Sequence, residues 1–140
     1  MYILDTDHVT EYQKGTSAEA IRLKDRLQNA SAAYGTTIIT VEEIMRGWMA
    51  AIHRLQDTRQ QIGPYARLQD LIRFFATWKV LRWDELAVDQ FESLRQQKIR
   101  VGTMDLKIAS IALANGATLL TRNRKDFDRV PNLRCEDWLS

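Results

Sequence analysis

Apolar residues fall along this chain in short blocks, separated by longer stretches with helical spacing. Tyr2-Ile3-Leu4 is an apolar run ended by Asp5, which predicts a buried strand. Residues 17–29 place Ala20, Ile21, Leu23 and Leu27 along a predicted helix. Gly35 precedes the β-branched run Thr36-Thr37-Ile38-Ile39, a second strand. Thr40 is a good N-cap residue, and Val41 to about Leu55 reads as the helix it starts. Pro64, suited to a first helical turn, opens a helix to about Thr77. Lys79 to Trp83 predicts a third strand. Asp84 then caps a helix to about Lys98, with Ala87, Phe91 and Leu94 on one face. Met104 to Asn115 repeats the pattern with Met104, Ile108, Ile111 and Ala112, and Gly116 sits where a left-handed C-cap is favoured. Ala117 to Leu120 predicts a fourth strand, and Leu133 to Cys135 a fifth.

Short apolar strands alternating with helices define an α/β domain: a central parallel sheet of four or five short strands flanked by helices, with right-handed crossovers. The 140 residues fit one domain with a core of its own. Hydrophobic residues at 45% and charged residues at 27% exclude a disordered chain. No run approaches the ~18–20 apolar residues of a membrane span. The first residues carry no basic segment of a signal peptide. One cysteine, Cys135, allows no internal disulfide and reads as small packing, in keeping with a reducing cytoplasm.

Acids recur where the predicted strands end. Asp5 follows the first strand, Glu42 and Glu43 open the helix after the second, and Asp105 lies in the first turn of the helix after Gly102. Asn123 and Asp126 follow the fourth strand. In an open parallel sheet the carboxyl ends of the strands share one crevice. Each residue has a local alternative: Thr40 and Glu43 have capping-box spacing, Asp105 suits a helix N-terminus, and Asn123 with Asp126 suits a short turn. Gathered together, however, carboxylates repel and raise one another's pKa unless a cation joins them. Asp and Glu without Cys or paired His favour a hard cation such as Mg²⁺ or Mn²⁺. The net charge is +2, but with Asp5, Glu43, Asp105 and Asp126 gathered in one site, twenty bases face fourteen acids elsewhere. Such a surface suits a polyanion, with Arg46, Arg122 and Arg124 placed to grip phosphates beside the acids.

These residues carry a resemblance. The opening Tyr-Ile-Leu-Asp-Thr-Asp-His (2–8) resembles the start of PIN domains, where a strand ends in an aspartate followed by Thr and Asn or Asp. Ile38-Ile39-Thr40-Val41-Glu42-Glu43-Ile44-Met45-Arg46-Gly47 is similar to their second acidic motif, a glutamate four residues before a glycine, which selects Glu43 over Glu42. Val101 to Ala109 resembles the third motif, Gly-x-x-Asp-x-x-Ile-Ala, around Asp105. Leu119-Leu120-Thr121-Arg122-Asn123 with Asp126-Phe127 resembles the fourth, and Leu133 to Trp138 is similar to the ending of small VapC-type toxins. The ordered set spans residues 2–138, while residues 48–100 match in helical character alone.

The resemblance implies a metal-dependent ribonuclease. Asp5, Glu43 and Asp105 would hold Mg²⁺ or Mn²⁺, and either Asn123 or Asp126 would complete the set, the amide being the weaker ligand. Water activated by the metal would cut RNA phosphodiesters. Thr6 would bond a neighbouring carboxylate or cap a helix. Asp7 reads as a helix-start residue, or else as an acid supporting the ligands, and His8 as a surface or capping residue ahead of a general acid. The resemblance further implies a toxin with a small antitoxin partner, whose tail covers the acidic cleft, and a homodimer. Ile44, Trp48, Met49 and Ile52 on the helix after the second strand would edge the partner's groove. Trp48, Trp78, Trp83 and Trp138 read as core or interface. Two other functions compete. A degenerate PIN module would bind RNA or protein without cutting. A HAD-like phosphatase would use Asp5-Thr6-Asp7 as its Asp-x-Asp motif, although Val9 stands where that motif has threonine.

Overall fold

The computed structural model describes all 140 residues. Along the chain lie β1 (Tyr2–Leu4), α1 (Thr6–Lys14), α2 (Ala18–Asn29), β2 (Tyr34–Thr37), α3 (Ile38–Arg54) and α4 (Ile62–Ala76). There follow β3 (Val80–Leu81), α5 (Glu85–Gln96), α6 (Thr103–Ala114), β4 (Thr118–Leu120), α7 (Arg124–Phe127) and β5 (Arg134–Glu136). The five strands form one parallel sheet in the order β3-β2-β1-β4-β5. The chain therefore builds outward from β1 on one side, then returns to build outward on the other. β1 and β4 are neighbours whose following segments diverge, which makes their carboxyl ends the switch point of the sheet. The α/β class and the parallel sheet agree with the sequence pattern.

Alternation along the strands divides the core between the two faces. Ile3 and Leu119 face one way and pack with Leu94 of α5 and with Leu106, Ile108 and Ile111 of α6. Leu4 and Leu120 face the other way, against Val9 of α1, Leu23 and Leu27 of α2, and Leu71 and Phe75 of α4. Trp138 and Leu139 close that second layer. Cys135 is half-buried against the first, and burial pushes its thiol up to about 11, which leaves it a packing group. No helix is long and apolar enough to cross a membrane.

Several boundaries differ from the sequence reading. The second strand is Tyr34–Thr37, and Ile38 and Ile39 already belong to α3. Thr37, rather than Thr40, is the N-cap: its Oγ1 accepts the Thr40 N–H at 3.1 Å. The capping box assigned to Thr40 and Glu43 therefore does not form. The segment Thr6–Lys14 is a helix capped by Asp5 and ended by Gly15 at φ 72°, whereas the spacing of apolar residues marks only its start. Pro64 is the third residue of α4, not its first. The expected strand over Lys79–Trp83 shrinks to Val80–Leu81. The Asp84 cap and the left-handed Gly116 (φ 59°) are as expected.

Gly35 has a packing reason to lack a side chain. A Cβ there would run into the carbonyl oxygen and Cβ of Lys79, on the segment entering β3. Backbone cannot yield as a flexible side chain would. Gly35→Ala is expected to lower the melting temperature by roughly 5 °C, the scale of an overpacking penalty of ~1–3 kcal/mol. A calorimetric scan that overlays wild type would show that the edge strand shifts freely.

Candidate active site

The parallel register explains how the site begins. Leu4 pairs with Leu120, so the next residues, Asp5 and Thr121, stand side by side at the switch point. Thr121 Oγ1 donates to Asp5 Oδ2 at 2.8 Å, and the Thr6 N–H donates to Asp5 Oδ1 at 2.8 Å. Asp5 is only 6% exposed. Burial, followed by the negative charges of Asp7 and Asp105, pushes its pKa up to about 7 against the opposing effect of those two hydrogen bonds.

Three other elements bring acids to the same place. Glu43, one turn into α3, accepts from Thr6 Oγ1 at 3.1 Å. Burial raises its pKa, and the charges of Asp105 and Glu42 add to the effect. Asp105, in the first turn of α6, is raised by burial first and then by Asp126 and Asp7. Asn123 follows β4 and bridges the remaining pair: its Nδ2 donates to Asp105 Oδ2 at 3.3 Å and to Asp126 Oδ2 at 3.2 Å. The structure thus brings Asp5, Glu43, Asp105, Asn123 and Asp126 to one place from four parts of the chain. Glu42 instead pairs with Arg46 at 2.7 Å on the exposed side of α3.

None of Asp5, Glu43, Asp105 or Asp126 forms an ion pair with a lysine or arginine. Repulsion within the cleft is relieved only by hydroxyl, backbone and amide donors. No three Asp, Glu, His or Cys side chains already converge as a metal cage. The donor set is nevertheless all oxygen, negatively charged and without a basic counterion, which fits a hard divalent cation. Of the arginines expected to grip phosphate, Arg46 is engaged by Glu42 and Arg124 by Asp128, while Arg122 is exposed and in no ion pair.

Two residues escaped the sequence reading. Thr121 fixes Asp5, and the signal was its place one residue beyond a strand paired with β1. His8 is fully buried rather than at the surface, with Nδ1 on Asp7 and Nε2 on the backbone of Trp138. Its partner across the chain lies 130 residues away, beyond any local pattern. Thr6 both donates its N–H to Asp5 and bonds Glu43, so the carboxylate contact expected of it is present.

A parallel α/β domain with a ring of acids at its switch point is the class that this geometry defines. The model of the PIN domain family matches residues 2–133, and the chain belongs to that family. Among curated proteins it is similar to "Ribonuclease VapC2" of Rickettsia felis, 51% identical over 32% of this chain and 34% of that protein. It is also similar to the "tRNA(fMet)-specific endonuclease VapC" of Salmonella typhimurium, 30% identical over 56% of this chain and 63% of that protein. The alignments thus span between a third and two thirds of these relatives. Among solved structures the fold resembles DNA-bound VapBC from Salmonella typhimurium, with TM-score 0.76, 23% identity, and coverage of 98% of this chain and 97% of that one. It also resembles VapBC2 from Rickettsia felis bound to a promoter DNA fragment, with TM-score 0.71, 24% identity and 98% of both chains covered.

Proposed function

We propose that the chain is a Mg²⁺- or Mn²⁺-dependent endoribonuclease, acting as the toxin of a toxin–antitoxin pair. The observation that carries this reading is the cleft itself: four carboxyl groups from chain-distant elements, crowded and buried enough to raise the pKa of three of them, with no lysine or arginine to balance them. Asp5, Glu43 and Asp105 would hold the cation, with Asp126 and the amide of Asn123 completing the set. Asn123 now points its Nδ2 at Asp105 and Asp126. Turning the amide by half a revolution would present Oδ1 to a cation instead. When bound, the metal lowers the pKa of a water and neutralises charge growing on the phosphate.

The chain's own part is positional. Thr121 and the Thr6 backbone hold both oxygens of Asp5, and the Thr6 hydroxyl holds Glu43, so ligand directions are set before a cation arrives. Arg122, beside Asn123 and with its guanidinium in no ion pair, is placed to engage a phosphate of the RNA. The names of the relatives, ribonuclease and endonuclease, favour cutting over the non-catalytic alternative. The family match leaves the phosphatase alternative without support.

The partner reading rests on the VapBC neighbours and on a groove of about 390 Å³. It lies between α1, α3 and α4, lined by Gln13, Lys14, Ile44, Trp48 and Leu71 among others. An amphipathic antitoxin segment would lie there, and an arginine from it would enter the acidic cleft in place of the cation. Ile62, Tyr65 and Ile72 lie exposed on one side of α4 and would serve a homodimer.

The ends of the RNA fragments test the mechanism. Attack by water should leave a 5′-phosphate and a 3′-hydroxyl, and EDTA should stop cleavage. Cyclic phosphate ends, or activity that survives EDTA, would overturn it, and the absence of any cleavage by metal-loaded protein would favour the binding module.

A further inference from the structure

The groups that hold the site in place include one buried side chain with no part in the steps above. His8 is 0% exposed, and its ring makes two directional bonds. The Trp138 N–H donates to Nε2 at 3.1 Å. A nitrogen that accepts carries no hydrogen, so the ring proton of the neutral imidazole lies on Nδ1. Nδ1 donates to Asp7 Oδ1 at 2.6 Å. The other oxygen of that carboxylate, Oδ2, accepts the Arg122 N–H at 2.9 Å. Arg122 immediately precedes Asn123, whose amide touches both Asp105 and Asp126.

The far end of this chain of bonds is firmly held. The Trp138 ring lies 4.6 Å from that of Tyr2, centroid to centroid, and the Arg26 guanidinium covers it at 4.2 Å. Its Nε1 donates to Glu136 Oε1 at 3.3 Å. Asp137 Oδ1 accepts the Leu139 N–H at 2.9 Å, which closes a turn around the tryptophan. A fully buried imidazole that only filled space would be replaced at lower cost by an apolar ring, since buried polar groups need partners. Here both nitrogens have partners, and one of them, Asp7, holds the backbone that leads into Asn123.

We propose that His8 is a positioning residue: it holds the Asp7 carboxylate on the Arg122 amide, so setting the loop that carries Asn123, while the Trp138 backbone orients its ring. The effect on the loop is a property of the fold. The effect on cation affinity rests on the nuclease reading given above.

Amide exchange in the metal-free full chain, followed by NMR, tests the first effect, and a Mn²⁺ titration of thermal stability tests the second. In His8→Phe, the Arg122 and Trp138 amides should both exchange about tenfold faster, the scale of one lost hydrogen bond to a charged or buried partner. The Mn²⁺ midpoint should rise by about tenfold, as for loss of a group that orients a ligand. In His8→Asn, the side-chain amide stands near the former Nδ1 and keeps the Asp7 contact. Arg122 protection and the Mn²⁺ midpoint should then recover, while Trp138 stays fast. Wild-type exchange at Arg122 in a folded His8→Phe, or no recovery in His8→Asn, would overturn the proposal. Should His8→Phe not fold, Asp7→Asn decides, because one acceptor oxygen must then serve two donors. Faster Arg122 exchange with Trp138 unchanged supports the role, and unchanged Arg122 exchange refutes it. A protein that neither binds Mn²⁺ nor cuts RNA would sink the nuclease reading, yet Arg122 exchange would still judge His8.

Discussion

Asp105→Asn is expected to abolish RNA cleavage while making the metal-free protein more stable. The two effects have one cause. Burial first, then the charges of Asp126 and Asp7, hold the Asp105 pKa above the usual carboxylate range, and its own charge helps raise Asp5 and Glu43. Replacing it with the nearly isosteric amide removes one repelling charge and keeps the hydrogen-bonding shape. The melting temperature without metal should therefore rise, by about 2–4 °C if relief amounts to ~1 kcal/mol. Cleavage should fall by about a thousandfold or more, because losing the cation forfeits several kcal/mol of transition-state stabilisation. Expression of the wild-type chain without a partner should slow growth, and the variant should not. A variant that is less stable and still cuts would mean that Asp105 is only a helix-terminal acid.

The second large effect is on stability against pH. Asp5 keeps its proton in the native state up to about pH 7, whereas the unfolded chain releases it near 3.8. Between those values the native state binds more protons, so the stability of the metal-free protein must fall as pH rises through this window. For Asp5 alone the loss is on the order of 4 kcal/mol, and Glu43 and Asp105 act in the same direction. Asp137, whose pKa is lowered mainly by hydrogen bonds from Ser140 and Leu139 against a burial effect, acts oppositely and only at more acid pH. Mn²⁺ should flatten this slope by offsetting much of the loss. It binds the deprotonated cluster, so its stabilisation grows with pH, reaching about 2.7 kcal/mol at a hundredfold excess over Kd. Melting curves at pH 5 and pH 8, with and without Mn²⁺, would check both halves. A metal-free protein equally stable at the two pH values would show that Asp5 ionises normally.

The parts of the site that were legible in the sequence are those set by short-range pattern. Asp5 ends an apolar run, and Asp105 opens a helix after a glycine, so strand-end and helix-start rules place both. For Glu43 it is the resemblance to the second PIN motif, not local pattern, that selects it over Glu42, and the structure puts Glu43 on Thr6 while Glu42 turns out to Arg46. The start of α3 is ambiguous in the sequence because Thr37 and Thr40 are both capable caps. Tertiary pairing decides between them: Thr37 lies beside Leu81 in the sheet, leaving Ile38 to enter the helix. Most of α1 leaves no pattern in the sequence because it buries only His8 and Val9, too few apolar positions to show a period. The burial of His8 is hidden from the sequence for a different reason. Its acceptor role is defined by a backbone amide at the opposite end of the chain, which no local rule encodes.

The strand order also has a consequence in time. β1 is made first, but one of its two sheet neighbours, β4, comes from residues 118–120. Thr121, which fixes Asp5, and Asn123, which bridges Asp105 and Asp126, follow β4 directly. A growing polypeptide that already displays Asp5, Glu43 and Asp105 therefore still lacks the strand that aligns them. Pairing across so long a stretch of sequence is also slow to form. The arrangement of acids is thus completed only once residues 118–123 are made and β4 has paired with β1, so an unfinished copy carries the acids without the scaffold that orients them.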